Sequence, residues 1–133
     1  MKQNECYTYF CITGNFYPDM VTELLGLQPD EAWERGSRRR DGSCREFAMW
    51  KFGRCDRYDV LTENQMHETI APLLDKTEQL NAIRLAFAVD FSLVIVPSVY
   101  AGSIAPCLAP SLQVMDFCHE TRTKLDMDLY VLP

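Results

Sequence analysis

Five arginines fall within eleven residues, Arg35, Arg38, Arg39, Arg40 and Arg45, and Trp33 stands just before them. Guanidinium groups grip phosphate and carboxylate through paired N–H donors and stack on indole rings. The segment could therefore hold a small anion or an acidic stretch of another protein. The plainer reading of the same residues is a solvated loop whose charges are screened. A second cluster lies near the C-terminus, where Asp126 and Asp128 alternate along a strand with Tyr130 in line. Two carboxylates on one side of a strand could ligate a hard cation or divide acid and base roles. A pair alone falls short of the roughly six oxygens that Ca²⁺ or Mg²⁺ takes, so no metal or cofactor is expected. Charges on an exposed sheet face also suppress aggregation.

Other chemistry finds little support. The two histidines occur as His67-Glu68 and His119-Glu120, and neither forms H-E-x-x-H. Cys118 and His119 are neighbours on a predicted helix, where adjacent side chains diverge and do not meet. There is no phosphate-loop glycine pattern and no G-x-S-x-G elbow. No residue is assigned a catalytic role. The candidate ligand-binding residues are Trp33, Arg35, Arg38, Arg39, Arg40, Asp126, Asp128 and Tyr130. Trp33, Trp50 and Tyr130 could share an aromatic pocket, although Trp50, in mid-strand, reads as core.

The elements that must position these residues follow from periodicity. Tyr7 to Thr13 is β-branched and aromatic on both faces, the mark of a central strand. Pro18 opens a short helix whose stripe is Met20, Val21, Leu24 and Leu25, and Gly26 closes it. Leu27 to Ser43 reads as loop, with Asp41-Gly42 as a turn leading into a strand from Arg45 to Phe52. In that strand Ala48, Trp50 and Phe52 share one face, while Phe47 and Met49 share the other. Thr62-x-x-Gln65 reads as a capping box opening a helix with Met66, Ile70, Leu73 and Leu74, which Pro72 should kink or break. A helix over Thr77 to Phe87 and a buried strand over Phe91 to Val96 come next. Pro110 begins a helix through His119, packing Leu112, Met115 or Val114, and Cys118. Lys124 to Leu132 then alternates strictly, with Leu125, Met127, Leu129 and Val131 toward the core and Lys124, Asp126, Asp128 and Tyr130 away.

The totals bound the class. The chain has 133 residues, 47% hydrophobic and 24% charged, which is ordinary usage for one domain over 1–133. Thirteen Lys and Arg against nineteen Asp and Glu leave a net charge of -6, which argues against nucleic acid as a partner. The start, Met1-Lys2-Gln3-Asn4-Glu5, lacks the apolar core of a secretory leader. The most apolar region, Leu85 to Val96, is interrupted by Asp90 and Ser92 and is too short to span a bilayer. A cytoplasmic protein without membrane contact is the expectation. Cys6, Cys11, Cys44, Cys55, Cys107 and Cys118 include no C-x-x-C spacing, so reduced, structural thiols are expected.

Four stretches carry a family likeness: the strand ending before Gly14, followed by Pro18-Asp19-x-Val21-Thr22-Glu23-Leu24-Leu25-Gly26-Leu27 and Pro29; Trp33-x-Arg35-Gly36; Trp50 after its turn; and Asp126-Met127-Asp128-Leu129-Tyr130. In these the chain resembles the bacterial domain-of-unknown-function family 4279 over roughly Tyr7 to Val131. The resemblance implies the architecture and brings no reaction or ligand. The expectation is an α+β fold with a single, mostly antiparallel or mixed sheet of about four strands and helices on one face. For function it is a non-enzymatic binding or interaction module. Its partner would be another protein or a small anionic ligand, and a homodimer is possible. The competing expectation is a hydrolase or transferase with its site at the Asp126/Asp128 face.

Overall fold

A computed structural model describes residues 3–57 and 61–133; Met1 and Lys2, the first residues of the segment read for a leader, lie outside them. Two strands with bulk on both faces occupy the middle of one sheet. These are β1 (Glu5–Gly14) and β4 (Asp90–Tyr100), paired antiparallel from Glu5↔Ser98 to Thr13↔Asp90. On the other side of β1 lies antiparallel β3 (Ala48–Cys55), edged by the three-residue β2 (Glu31–Trp33). Beyond β4 run β5 (Lys124–Met127) and β6 (Tyr130–Leu132), both parallel to it. The sheet is thus mixed, with the order β2-β3-β1-β4-β5 and β6 continuing alongside β4.

Among the described residues it has six strands rather than about four. One addition is β2, inside the segment read as loop, which is too short for periodicity to reveal. The other comes from dividing the last strand. Asp128 N–H donates to Ile95 O at 2.8 Å, and the next ladder bond would come from the N–H of residue 97, which is proline. Pro97 breaks the ladder without changing its register, which is the same before and after the gap.

Among the described residues four helices form, and they cover one face. They are α1 (Pro18–Leu25), α2 (Thr62–Ile70), α3 (Thr77–Phe87) and α4 (Leu112–Thr121). Pro72 ends α2 as expected, and a single 3₁₀ turn over Ala71–Leu73 follows. The core between the layers holds Phe10, Ile12, Trp50, Phe91, Leu93 and Ile95 from the sheet and Leu25, Met66, Ile70, Leu80, Ile83 and Phe117 from the helices. Phe10 packs against Phe91 and Phe117, with ring centroids 5.6 and 6.2 Å away.

Three sequence expectations need correction. The Thr62/Gln65 pair opens α2 but is not a capping box. Thr62 donates its hydroxyl to Cys107 O, and Gln65 turns into the sheet, where it donates to Cys6 O (2.8 Å) and accepts from Thr8 (3.0 Å). In α4, Val114, Phe117, Cys118 and Thr121 face inward, while Leu112 and Met115 are exposed. Finally, Leu125, Met127, Leu129 and Val131 are not core residues: they are between 36% and 68% exposed. They alternate as expected, but they sit on the outermost strand, and the helices pack over β1, β3 and β4.

Among the described residues no helix is long and apolar enough to cross a membrane. None of the six cysteines is in a disulfide; Cys6, Cys11, Cys55 and Cys118 are buried.

Candidate functional site

The face of the sheet without helices carries the polar chemistry, and strand register sets its layout. Glu31 and Trp33 come from β2, Met49 and Lys51 from β3, and Tyr7, Tyr9 and Cys11 from β1. Val94 and Val96 follow on β4, and Asp126, Asp128 and Tyr130 on the far edge. Arg54 joins this face through a bulge. Thr8 pairs with Cys55 and Phe10 with Phe52, so two residues, Gly53 and Arg54, stand opposite Tyr9 alone. The extra residue resets the alternation. Phe52 and Cys55 both point to the helices, and Arg54 lies over the ring of Tyr7.

The result is a ladder of cations on aromatic rings across three strands. Arg45 lies over Trp33 at 4.6 Å, and the Lys51 ammonium sits 5.6 Å from Trp33 and 4.9 Å from Tyr9. Tyr9 stacks on Tyr7 at 6.1 Å, and Arg54 covers Tyr7 at 4.0 Å. Stacking holds the charged heads themselves on the rings, and Arg45 also donates to Arg38 O, so part of the ordering cost of binding is already met. Tyr7, Tyr9, Asp30, Glu31, Lys51 and Arg54 line a shallow cavity of about 240 Å³. Asp30 is committed to the frame, accepting the Arg54 backbone N–H at 2.7 Å, and Glu31 lies 4.0 Å from Lys51.

Charge changes sign across the face. Burial pushes the Tyr9 phenol up to about 12, reinforced by Cys11, Tyr7, Asp126 and Asp128. The Cys11 thiol is pushed up to about 11, again mainly by burial, with Lys51 opposing and Asp126 adding. At the acidic edge Tyr130 donates to Asp128 at 3.3 Å, and the charge of Asp128 raises the Tyr130 phenol above its ordinary value.

These shifts predict an alkaline limit to stability. The folded chain keeps the protons of Cys11 and Cys118 to about 11, against 9.0 for the ordinary thiol, and that of Tyr9 to about 12 against 10.0. The unfolded chain releases them first, so this stabilisation is complete below pH 9 and is lost as pH rises through 11 and 12. Cys11 accounts for roughly 3 kcal/mol of it. Urea midpoints should fall steeply from pH 9 to 11, and the Cys11→Ala/Cys118→Ala variant should flatten that limb. An unchanged slope in the variant would refute the assignment to these thiols.

The arginine segment is an ordered hairpin. Gly36 N–H bonds to Arg45 O, Arg45 N–H to Ser37 O, and Arg39 N–H to Ser43 O, each at 2.8 Å. At its tip the Asp41 carboxylate accepts the Ser43 N–H (2.9 Å) and hydroxyl (2.6 Å), bonds that hold it below the usual carboxylate range. Arg45 also donates to Arg38 O at 2.9 Å, which fixes the guanidinium that stacks on Trp33.

The structure therefore divides the sequence-derived candidates. Trp33 belongs to the ladder. Arg38, Arg39 and Arg40 stand exposed on the hairpin beyond β2, and Arg35 lines a separate cavity at the end of β1. Asp126, Asp128 and Tyr130 occupy the opposite edge of the face, across β3, β1 and β4, and do not line the cavity of the ladder. Trp33 and Tyr130 form no common pocket, and Trp50 is wholly buried on the other side of the sheet. Tyr7, Tyr9, Lys51 and Arg54 escaped the sequence reading. Their one visible signal was Gly53, an isolated glycine after a strand pattern, which is how a bulge announces itself.

Among the described residues no group of three or more His, Cys, Asp or Glu is placed to hold a metal ion. Neither the curated proteins nor the solved structures include a match to this chain. The four stretches noted in the sequence now have places: the first is the end of β1 with α1, the second runs from β2 into the hairpin, the third anchors β3, and the last forms the acidic edge. A family model described as a domain of unknown function, DUF4279, matches residues 4–132, and the chain belongs to that family.

Proposed function

We propose that this chain is a non-enzymatic binding module that uses the ladder side of its open sheet face to hold an anionic group. That group is carried by another protein or by a small ligand. The observation that carries this reading is the placement of Arg45, Lys51 and Arg54 on the rings of Trp33, Tyr9 and Tyr7. Their heads need little further ordering to meet phosphate or carboxylate. A hydrolase or transferase would instead need the aspartates and arginines around one cavity, and they lie at opposite edges. A reducing bacterial cytoplasm suits a chain with six cysteines and no disulfide.

Isothermal titration with pyrophosphate and with an oligoglutamate peptide tests the reading. At least one should bind saturably, and Lys51→Met/Arg54→Met should weaken it about tenfold or more, as expected for the loss of charged hydrogen bonds. Both side chains lie on the face without helices and neither enters the core, so the variant should keep its circular dichroism spectrum. Binding of neither probe, or equal binding by the variant, would overturn the proposal.

A further inference from the structure

A second cavity, of about 310 Å³, opens beyond the end of β1 and is lined by Asn15, Phe16, Tyr17, Glu34, Arg35 and Phe87. It shares no residue with the cavity of the ladder. Backbone geometry explains why it forms. β1 ends at Gly14 with φ +149°, and a Cβ there would come within 3.0 Å of Val89, so only glycine lets the two segments approach so closely. On the Val89 side, α3 ends at Phe87 and the chain turns through Ala88 in the left-handed conformation, φ 52°. These two turns bring Phe87 up beside the segment Asn15–Tyr17. From the third side, Glu34 and Arg35 continue past the end of β2.

The lining is chemically divided. Phe16 is buried and forms a floor, while Tyr17 (71% exposed) and Phe87 (38% exposed) leave ring surface open to water. Among the described residues the side chains of Glu34 and Arg35 make no ion pair and no hydrogen bond, with each other or with a third group. The cavity thus offers one free guanidinium, one free carboxylate, one carboxamide and apolar ring faces. Its volume is at the small end of ligand sites, which run from about 300 to 1,000 Å³.

We infer that this cavity binds a free aromatic α-amino acid as its zwitterion. The ligand carboxylate meets the Arg35 fork, its ammonium meets Glu34, and its ring lies against Tyr17 and Phe87 over Phe16. A simple anion would satisfy Arg35 and be repelled by Glu34, and a peptide terminus supplies only one of the two charges. Covering the two exposed rings adds apolar burial that a small amino acid cannot match.

Calorimetric titration of the full chain with L-phenylalanine tests this directly. Saturable one-to-one binding is expected. 3-Phenylpropionate lacks the ammonium, phenethylamine lacks the carboxylate and L-alanine lacks the ring, and each should bind about tenfold more weakly or worse. Arg35→Gln should lower the affinity for phenylalanine to that for phenethylamine, and Glu34→Gln to that for phenylpropionate. Both residues are exposed, so an unchanged thermal midpoint should confirm folding of each variant. Lys51→Met/Arg54→Met should leave phenylalanine binding intact, which separates this site from the open face. The inference is overturned if phenylalanine does not bind, if either single variant binds as well as the parent, or if phenylpropionate binds as tightly as phenylalanine.

Discussion

Valine in place of Gly53 is expected to destabilise the fold by about 2–4 kcal/mol and to take Arg54 off the open face. Gly53 has φ 72°, a conformation that a β-branched residue adopts only under strain. A Cβ would also approach the Thr69 carbonyl oxygen to 3.0 Å, and that oxygen belongs to the backbone of α2 and cannot swing away. The close approach is built in from both sides. Thr69 donates its hydroxyl to Gly53 O at 2.7 Å, and Gln65, wholly buried one turn earlier, joins Cys6 O to the hydroxyl of Thr8. Two polar side chains of α2 thus clamp both strands at the bulge. If valine forces the bulge out, β3 must resume simple alternation, and Arg54 then turns toward the helices. The expected result is a lower urea midpoint together with loss of the ring-current shifts that Tyr7 imposes on Arg54. A loss of stability below about 1 kcal/mol would show that the bulge is soft and that the clamp matters little.

The same bulge shows why part of the site was hidden in the sequence. Periodicity found one apolar row on β3, with Trp50 and Phe52. In contrast, β1 and β4 carry bulk on both faces, and only the fold singles out Phe10 with Ile12 and Leu93 with Ile95 as their core rows. Periodicity also placed Asp126, Asp128 and Tyr130 on the open face. Parity fails where a residue is inserted, so a count along β3 cannot bring Arg54 to the same side as Lys51. Tyr7 and Tyr9 were legible as strand residues, but bulk on both faces does not reveal which face the helices leave open. The aliphatic row from Leu125 to Val131 failed for a related reason. Alternation gives the direction of a side chain, and only the extent of the helical layer decides whether anything covers it. Charge spacing misled as well. The five arginines look like one patch in sequence, yet Arg45 folds back onto Trp33 while Arg35 turns to the cavity at the end of β1.

Trp50→Ala is expected to cost about 3–5 kcal/mol, a large share of the roughly 5–15 kcal/mol available to a domain of this size. Trp50 is fully buried, stacks on Phe52 at 5.4 Å with the planes 8° apart, and donates its indole N–H to the Thr22 hydroxyl at 3.0 Å. It therefore ties β3 to α1 by packing and by one directional bond. The two contributions can be separated. Thr22→Val keeps the packing but leaves a buried N–H without a partner, at about 1–3 kcal/mol. Trp50→Phe removes the donor and part of the ring together. If the bond matters, the two changes made together should cost less than the sum of the two alone, by about 1 kcal/mol. Strict additivity would leave packing as the whole of the link. Met49 and Lys51 flank Trp50 and face the other way, so the core contact of one residue sets the height of its neighbours on the ladder. Variants that loosen Trp50 without unfolding the chain should therefore weaken pyrophosphate binding as well, although none of them touches the open face.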